Sequence, residues 1–420
     1  MKRHYLISAI VSMAMLAGVL SCNKRVTVGT PDPDNVSFFT KNSANFSFVP
    51  ISLARRIASR RPADSADIYL TGNDSSRIPR QIESEYTYFG KDGIADFYAF
   101  NYSGGGFILI AADLKTNPVL AHANKGRWGK SSFPANLQYW LNGTKGYVDF
   151  VRNKQDTVRD NLFQLWSHLL PDQQLRVSTV ATIQGKKTGT STPPDQCTPT
   201  ETYQYVGPLM ATTWGQGCGY NDLCPADPAG KCDHDLTGCV ATALAQVAYY
   251  YRFPARYAYG NMPLMPVTGV NYPDMATLMA DIGGFVQMQY GPTFSGANGG
   301  NILPALTNNL GFNAAATGIN YDGAAPAVIE NNINSAQVVL LLAHDTNTGE
   351  GHVWVCDGYE TYAYLNGQCV ASVGLADYHM NWGFGEIGLD NYIGWYDISL
   401  WDADGYEFGV NRQVIVNLHP

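Results

Sequence analysis

Beyond residue 38 the chain passes from β-rich runs into segments with helical spacing. ADFYAFNY (95–102) and FILIAAD (107–113) are separated by Ser103 and the glycines 104–106, which predicts a hairpin with a bulge-type loop. In SSFPANLQYWLNGTKGYVDFVRNK, Leu137, Trp140 and Leu141 share a helical face; in VRDNLFQLWSHLL, Leu162, Leu165, Trp166 and Leu169 do the same. Strands followed by two amphipathic helices define a first domain, 38–170. From 171 to 205 the hydrophobic period disappears and QGKKTGTSTPPDQ predicts a protease-sensitive linker. A second domain, 206–420, starts in loops, passes through helices and ends in strands. Its clearest helix is LTGCVATALAQVAYYYRFP, where Val240, Leu244, Val247, Ala248 and Tyr251 are helically spaced and Pro254 ends the run. The pattern as a whole predicts an α+β protein.

Composition narrows the function. The 420 residues are 45% hydrophobic and only 15% charged, with 26 Tyr, 42 Gly and 22 Pro, which suits strands and turns rather than a helical bundle or a disordered chain. A net charge of -8 leaves no basic stripe for a phosphate backbone, so nucleic acid is not an expected partner.

The start of the chain predicts export. Lys2, Arg3 and His4 precede the apolar stretch LISAIVSMAMLAGVL, which leads to Ser21-Cys22. This is the plan of a signal peptide, 1–21. LSC resembles the lipobox of bacterial lipoproteins, which makes Cys22 the expected lipidation site and 22–37 a tether; the alternative is a plain secretory leader. An outer-membrane or cell-surface lipoprotein, or a released form of it, is expected. After the leader no apolar run reaches the roughly 18 residues of a spanning helix, so membrane contact is expected through the anchor only. Seven cysteines then remain, Cys197, Cys218, Cys224, Cys232, Cys239, Cys356 and Cys369, an odd number that implies a free thiol.

Cys239 is the thiol best placed for chemistry. With Thr237 as the expected N-cap it falls in a first helical turn, where free backbone N–H groups and the helix dipole favour a thiolate. A small buried cysteine packing the helix start fits the same position. A nucleophilic thiolate needs an imidazole partner. His352, in GEGHVWVCDGYE, follows a Gly-rich turn and begins an alternating strand; His344 and His379 are rivals. Asn381, in YHMNWGFGE, could orient the imidazole, and Trp382 could shield the pair from water.

ATTWGQGCGYNDLCP, TGCVATALAQVAYYYRFP, MADIGGFVQMQYGPTFSGA, GHVWVCDGYE and YHMNWGFG together resemble the streptopain-like cysteine peptidases in order and spacing. GGGFILIAAD and NLQYWL in the first domain resemble the propeptide of that family. The resemblance implies a papain-like peptidase domain behind an α+β propeptide, with no cofactor or metal. It makes Cys239 the nucleophile, His352 the catalytic histidine, and Asn381 and Trp382 the residues that orient and shield it. Gln216 matches the glutamine whose amide joins the Cys239 backbone N–H as an oxyanion donor, and Ser295, Gly296 and Gly351 fall where the family builds its substrate cleft. Protein or peptide substrates, a propeptide that inhibits its own chain, and activation by a cut near Lys186-Lys187 follow from the same resemblance.

The chain departs from the family in reading His352-Val353-Trp354 where GHAF is usual, and NWGFGE where NWGWGG is usual; Trp354 is expected to narrow a pocket. Cys218, Cys224, Cys232 and His234 offer a zinc reading, weakened by irregular spacing. Asp402 and Asp404 hint at a calcium loop, which fails because Glu407 and Gln413 stand where its Gly and Glu belong. The alternatives to a peptidase are an inactive peptidase-fold lipoprotein that binds or inhibits, and amide-bond transfer or peptidoglycan amidase chemistry by the same Cys-His pair.

Overall fold

A computed structural model describes residues 47–60, 80–130, 133, 135–154, 158, 160–170, 200–267, 270–344, 351–365, 371–385, 392–397 and 412–420. The expected signal peptide, Cys22, the Lys186-Lys187 site, Cys197, Cys369 and the Asp402 loop lie outside them.

The first segment opens with helix α1 (Ile51–Arg60), which buries Leu53, Ala54 and Ile57. Strands β1 (Ile82–Phe89), β2 (Ala95–Tyr102), β3 (Phe107–Ala111) and β4 (Val119–Ala123) then form an antiparallel meander. The expected hairpin is β2–β3, and Gly106 shows why its turn is glycine: at φ 86° a Cβ would lie 2.4 Å from the Ala123 carbonyl oxygen. Helices α2 (Ala135–Asn153) and α3 (Asp160–Leu169) follow, burying the predicted faces of Leu137, Trp140 and Leu141 and of Leu162, Leu165, Trp166 and Leu169.

The remainder begins with strand β5 (Thr200–Val206), which pairs along its length with β9. These residues fall at the end of the expected linker. Their TETYQYV sequence has the Thr and Tyr alternation that suits a paired strand, a signal masked by the polar stretch before it. The short, exposed β6 (Ala226–Lys231) stays out of the main sheet. Helices α4 (Cys239–Tyr251) and α5 (Pro273–Phe285) pack together, followed by the short α6 (Ile302–Pro304), a π-turn over Ala305–Asn309, β7 (Thr317–Asn320) and α7 (Ala325–Asn334). The chain closes in β8 (Val339–His344), β9 (Gly351–Leu365), β10 (Ala371–Asn381), β11 (Gly394–Asp397) and β12 (Gln413–Val416).

One sheet runs through both segments in the order β1-β2-β3-β4-β11-β10-β9-β8-β12-β7, with β5 on β9. The junction is β4 against β11, where His122 stands opposite Trp395 and Ala121 opposite Tyr396. Residues 37–420 accordingly make a single compact unit.

Helix α4 differs from its sequence pattern. Read from the sequence as a helix with apolar residues at helical spacing, it is buried on every side from Cys239 to Tyr249, because it lies between α5 and β9. Its polar Thr242 and Gln246 are therefore fully enclosed, and each is hydrogen-bonded.

Candidate active site

The site is built where the start of α4 meets the start of β9. Gly238, not Thr237, caps α4, with φ 85° and ψ 151°. A Cβ there would lie 2.9 Å from the Ser295 carbonyl oxygen and 2.8 Å from the Met288 sulfur, so the tight approach and the positive φ both demand glycine. The Thr237 hydroxyl instead meets that of Thr242 at 3.0 Å, and Thr242 Oγ1 also donates to the Gly238 carbonyl at 3.0 Å.

Cys239 follows as the first residue of α4, 5% exposed. The backbone N–H groups of Val353, Val240 and Cys239 itself face its sulfur and favour the thiolate, but burial outweighs them and pushes the thiol up. The low thiol pKa expected from a helix start is thus reversed in this form of the chain. Solvent exclusion is the reason.

The Val353 contact brings the strand of His352 to the sulfur. His352 is buried on β9 opposite Ala343 of β8. Strand alternation turns Val353 and Val355 toward the α4 core, leaving Trp354 on the other face. On that face the Trp382 ring packs against Trp354 with centroids 5.1 Å apart, and Trp382 Nε1 donates to the Tyr392 carbonyl at 3.1 Å. Trp354 is fully buried in this aromatic stack, with Nε1 on the Met380 sulfur at 3.1 Å. That packing is where the departure from the family pattern places the Trp354 side chain.

Asn381 is held by partners that the sequence did not reveal. Its Nδ2 donates to the Thr212 carbonyl at 2.7 Å and to Gln246 Oε1 at 2.9 Å; its Oδ1 accepts from Gln246 Nε2 and from the Gly383 N–H, both at 3.3 Å. These bonds tie Asn381 to Gln246 and its surroundings. Gln246 Oε1 also accepts from Thr212 Oγ1 at 2.8 Å. Its place at the seventh residue after Cys239 was the available signal, obscured because a polar residue in a helix is usually solvated.

Gln216 comes close to the same loop. Its carbonyl accepts from the Thr237 N–H at 3.0 Å, tying it to the turn before Cys239, while its side-chain amide reaches the Gly383 carbonyl at 3.4 Å. Ser295 is 2% exposed, and its hydroxyl bonds the Gly291 N–H and carbonyl at 3.0 and 3.2 Å, closing a turn. Gly296 pairs with Gln289, and Gly351 begins β9 opposite His344. The expected cleft residues thus pack around the turn before Cys239 and the start of β9, with the Ser295 hydroxyl engaged internally.

Of the rival histidines, His379 is paired through Nδ1 with Asp357 Oδ1 at 2.5 Å, and the other Asp357 oxygen accepts from the Met210 N–H at 2.8 Å. The ring of His344 lies outside the described residues. A disulfide joins Cys218 to Cys232, which removes two sulfurs from the zinc reading; Cys224, Cys239 and Cys356 are free and buried.

Residues 214–262 and 255–396 match the model of the Peptidase C10 family, and residues 37–148 match that of the Spi protease inhibitor. Residues 214–396 are those of a streptopain-like peptidase of the C10 family. Streptopain of Streptococcus pyogenes is 24% identical over 330 residues, 70% of this chain and 72% of that protein. The thiol protease/hemagglutinin PrtT of Porphyromonas gingivalis is 23% identical over 77% of this chain, which spans 37% of that longer protein. The solved structure of a mutant fragment of Prevotella intermedia prointerpain A superposes with a TM-score of 0.55 at 21% identity, covering 81% of this chain and 99% of that one. This chain therefore has the papain-like peptidase fold with a propeptide ahead of it, in a zymogen arrangement.

Proposed function

We propose that this chain is an exported cysteine endopeptidase, made as a zymogen and tethered through a lipidated Cys22 at the outer membrane or cell surface. The reading rests chiefly on Cys239 and Val353 sharing one buried core, with α4 packed on β9, which brings the histidine strand to the nucleophile helix. Cys239 gives its proton to His352 and attacks the scissile carbonyl carbon. The tetrahedral oxyanion is held by the Cys239 backbone N–H and the Gln216 amide. The C–N bond breaks as the imidazolium protonates the leaving amine, and water then hydrolyses the thioester with His352 as base. Asn381 and Trp382 position and shield the histidine.

Residues 38–170 act as the intramolecular inhibitor until the 171–205 linker is cut near Lys186-Lys187. The buried thiol and the Gln216 amide bonded to Gly383 suit a latent state. Both groups become available when the segment leaves.

The test is casein digestion by the processed protein beside Cys239→Ala, with mass spectrometry of a peptidyl chloromethylketone adduct. Wild type should cleave casein and carry the adduct on Cys239. A wild type that is processed and folded yet cleaves no peptide and takes no adduct overturns the reading.

A further inference from the structure

Three carboxylates stand in a row across the middle of the sheet. In the β9–β10 ladder Glu360 lies directly opposite Asp377, and in the β10–β11 ladder Asp377 lies directly opposite Asp397. All three are buried, at 2%, 2% and 1% exposure. Like charges directly across a sheet repel, and burial removes the water that would screen them. A row of this kind needs a cation or a shared proton, and burial beside Glu360 and Asp397 does push the Asp377 carboxyl well above the usual carboxylate range.

Beside the row sits an imidazole from the other segment. His122 on β4 is fully buried, its Nε2 is 2.5 Å from Glu360 Oε1 and 4.0 Å from Asp377 Oδ2, and its ring stacks near Trp395 at 6.3 Å. The Asp377 Oδ2 atom has no hydrogen-bond partner although it is enclosed. Donor atoms of His122, Glu360 and Asp377 all lie within 4.8 Å of one another. The surroundings already hold the outer atoms: Tyr203 Oη donates to Glu360 Oε2 at 2.7 Å, and Asn117 Nδ2 to Asp397 Oδ2 at 2.6 Å.

We propose that His122, Glu360 and Asp377 bind a divalent transition cation of the zinc class, which ties the inhibitor-like segment to the peptidase segment. One nitrogen and two carboxylate oxygens form a borderline donor set that favours zinc over calcium or magnesium, which take oxygen alone. Zinc bonds of about 2 Å require the His122–Glu360 contact to open and Asp377 Oδ2 to move in, a side-chain adjustment within the three strands. Tyr203 fixes the other Glu360 oxygen, as partners behind metal ligands commonly do. His122 lies in the stretch matched by the inhibitor model, Glu360 and Asp377 in the stretch matched by the peptidase model, so only the joined chain completes the site.

The experiment uses the full chain carrying Cys239→Ala, so that it is independent of any peptidase activity. The protein is stripped with chelator, reloaded with zinc or cobalt(II) chloride, and desalted. Roughly one metal per chain, a visible cobalt d–d spectrum, and a Tm raised by about 5 °C at a hundredfold excess over Kd are expected. His122→Ala and the near-isosteric Asp377→Asn should each lose the metal and the Tm rise. If His122→Ala does not fold, Asp377→Asn and the cobalt spectrum decide. A parent chain that retains no metal and gives no spectrum overturns the proposal, as does undiminished metal in a folded Asp377→Asn variant.

Discussion

Gln246 and Asn381 pair amide to amide, with Asn381 Nδ2 at 2.9 Å from Gln246 Oε1 and Gln246 Nε2 at 3.3 Å from Asn381 Oδ1. One side chain on the nucleophile helix therefore fixes the end of β10 at Asn381, just before Trp382. Through Thr212 Oγ1 and the Trp214 N–H, at 2.8 and 3.4 Å, it also holds the irregular segment that leads to Gln216.

Replacing Gln246 by Leu removes the partner of the Thr212 hydroxyl and of the Trp214 N–H, at about 1–3 kcal/mol each, strips one bond from each end of the Asn381 amide, and lets Asn381 shift relative to Cys239. The expected result is a kcat lowered about tenfold to a hundredfold with KM little changed, and partial recovery in Gln246→Glu. Steady-state kinetics on the processed protein checks it; equal kcat in Gln246→Leu and wild type contradicts the positioning role.

Gly238→Ala forces a side chain into the Ser295 carbonyl and the Met288 side chain at a positive φ. The cost should exceed about 1 kcal/mol, read as a lower urea midpoint, and the displaced first turn should depress activity further. Gly284→Ala is the control, since nothing lies within 4 Å of a Cβ there.

In the latent chain the Cys239 thiol should alkylate slowly at neutral pH and faster as pH rises, because burial holds its pKa above the ordinary value. Peptide mapping after timed iodoacetamide treatment separates Cys239 from the other free cysteines. Rapid labelling below pH 7 in the unprocessed chain would show that the sulfur is not enclosed.

Asp96 gives the inhibitor-like segment a pH dependence of definite sign. Burial, aided by Asp149, pushes its carboxyl up to about 7 despite Arg152 Nη2 at 3.0 Å. The folded state then binds a proton that the unfolded chain releases near pH 4, so stability falls as pH rises from about 4 to 7. Asp96→Asn lacks this loss. Its urea midpoint relative to wild type should climb across that window, and a flat difference would refute the assignment.

The Cys218–Cys232 disulfide closes a loop with a sequence separation of 14 just ahead of Cys239. Loop-closure entropy assigns it about 3 kcal/mol, so Cys218→Ser should lower stability by an amount of that order. Chemical denaturation of the double variant Cys218→Ser with Cys232→Ser checks this without a stray thiol.

The sequence by itself determined the parts whose signal is local. Period and turn residues gave the β2–β3 hairpin and the buried faces of α2 and α3, while the resemblance to a family made Cys239, His352, Gln216, Asn381 and Trp382 the expected site residues. Strand alternation and helical spacing act over a few residues, so they can be read along the chain. The tertiary structure alone decided what depends on enclosure and on residues far apart. It capped α4 with Gly238, raised the Cys239 thiol, sent the Asn381 amide to Gln246, and brought His122 to Glu360 across 238 residues. Burial and cross-strand register set these outcomes. Neither quantity exists until β4, β9, β10 and β11 share one sheet.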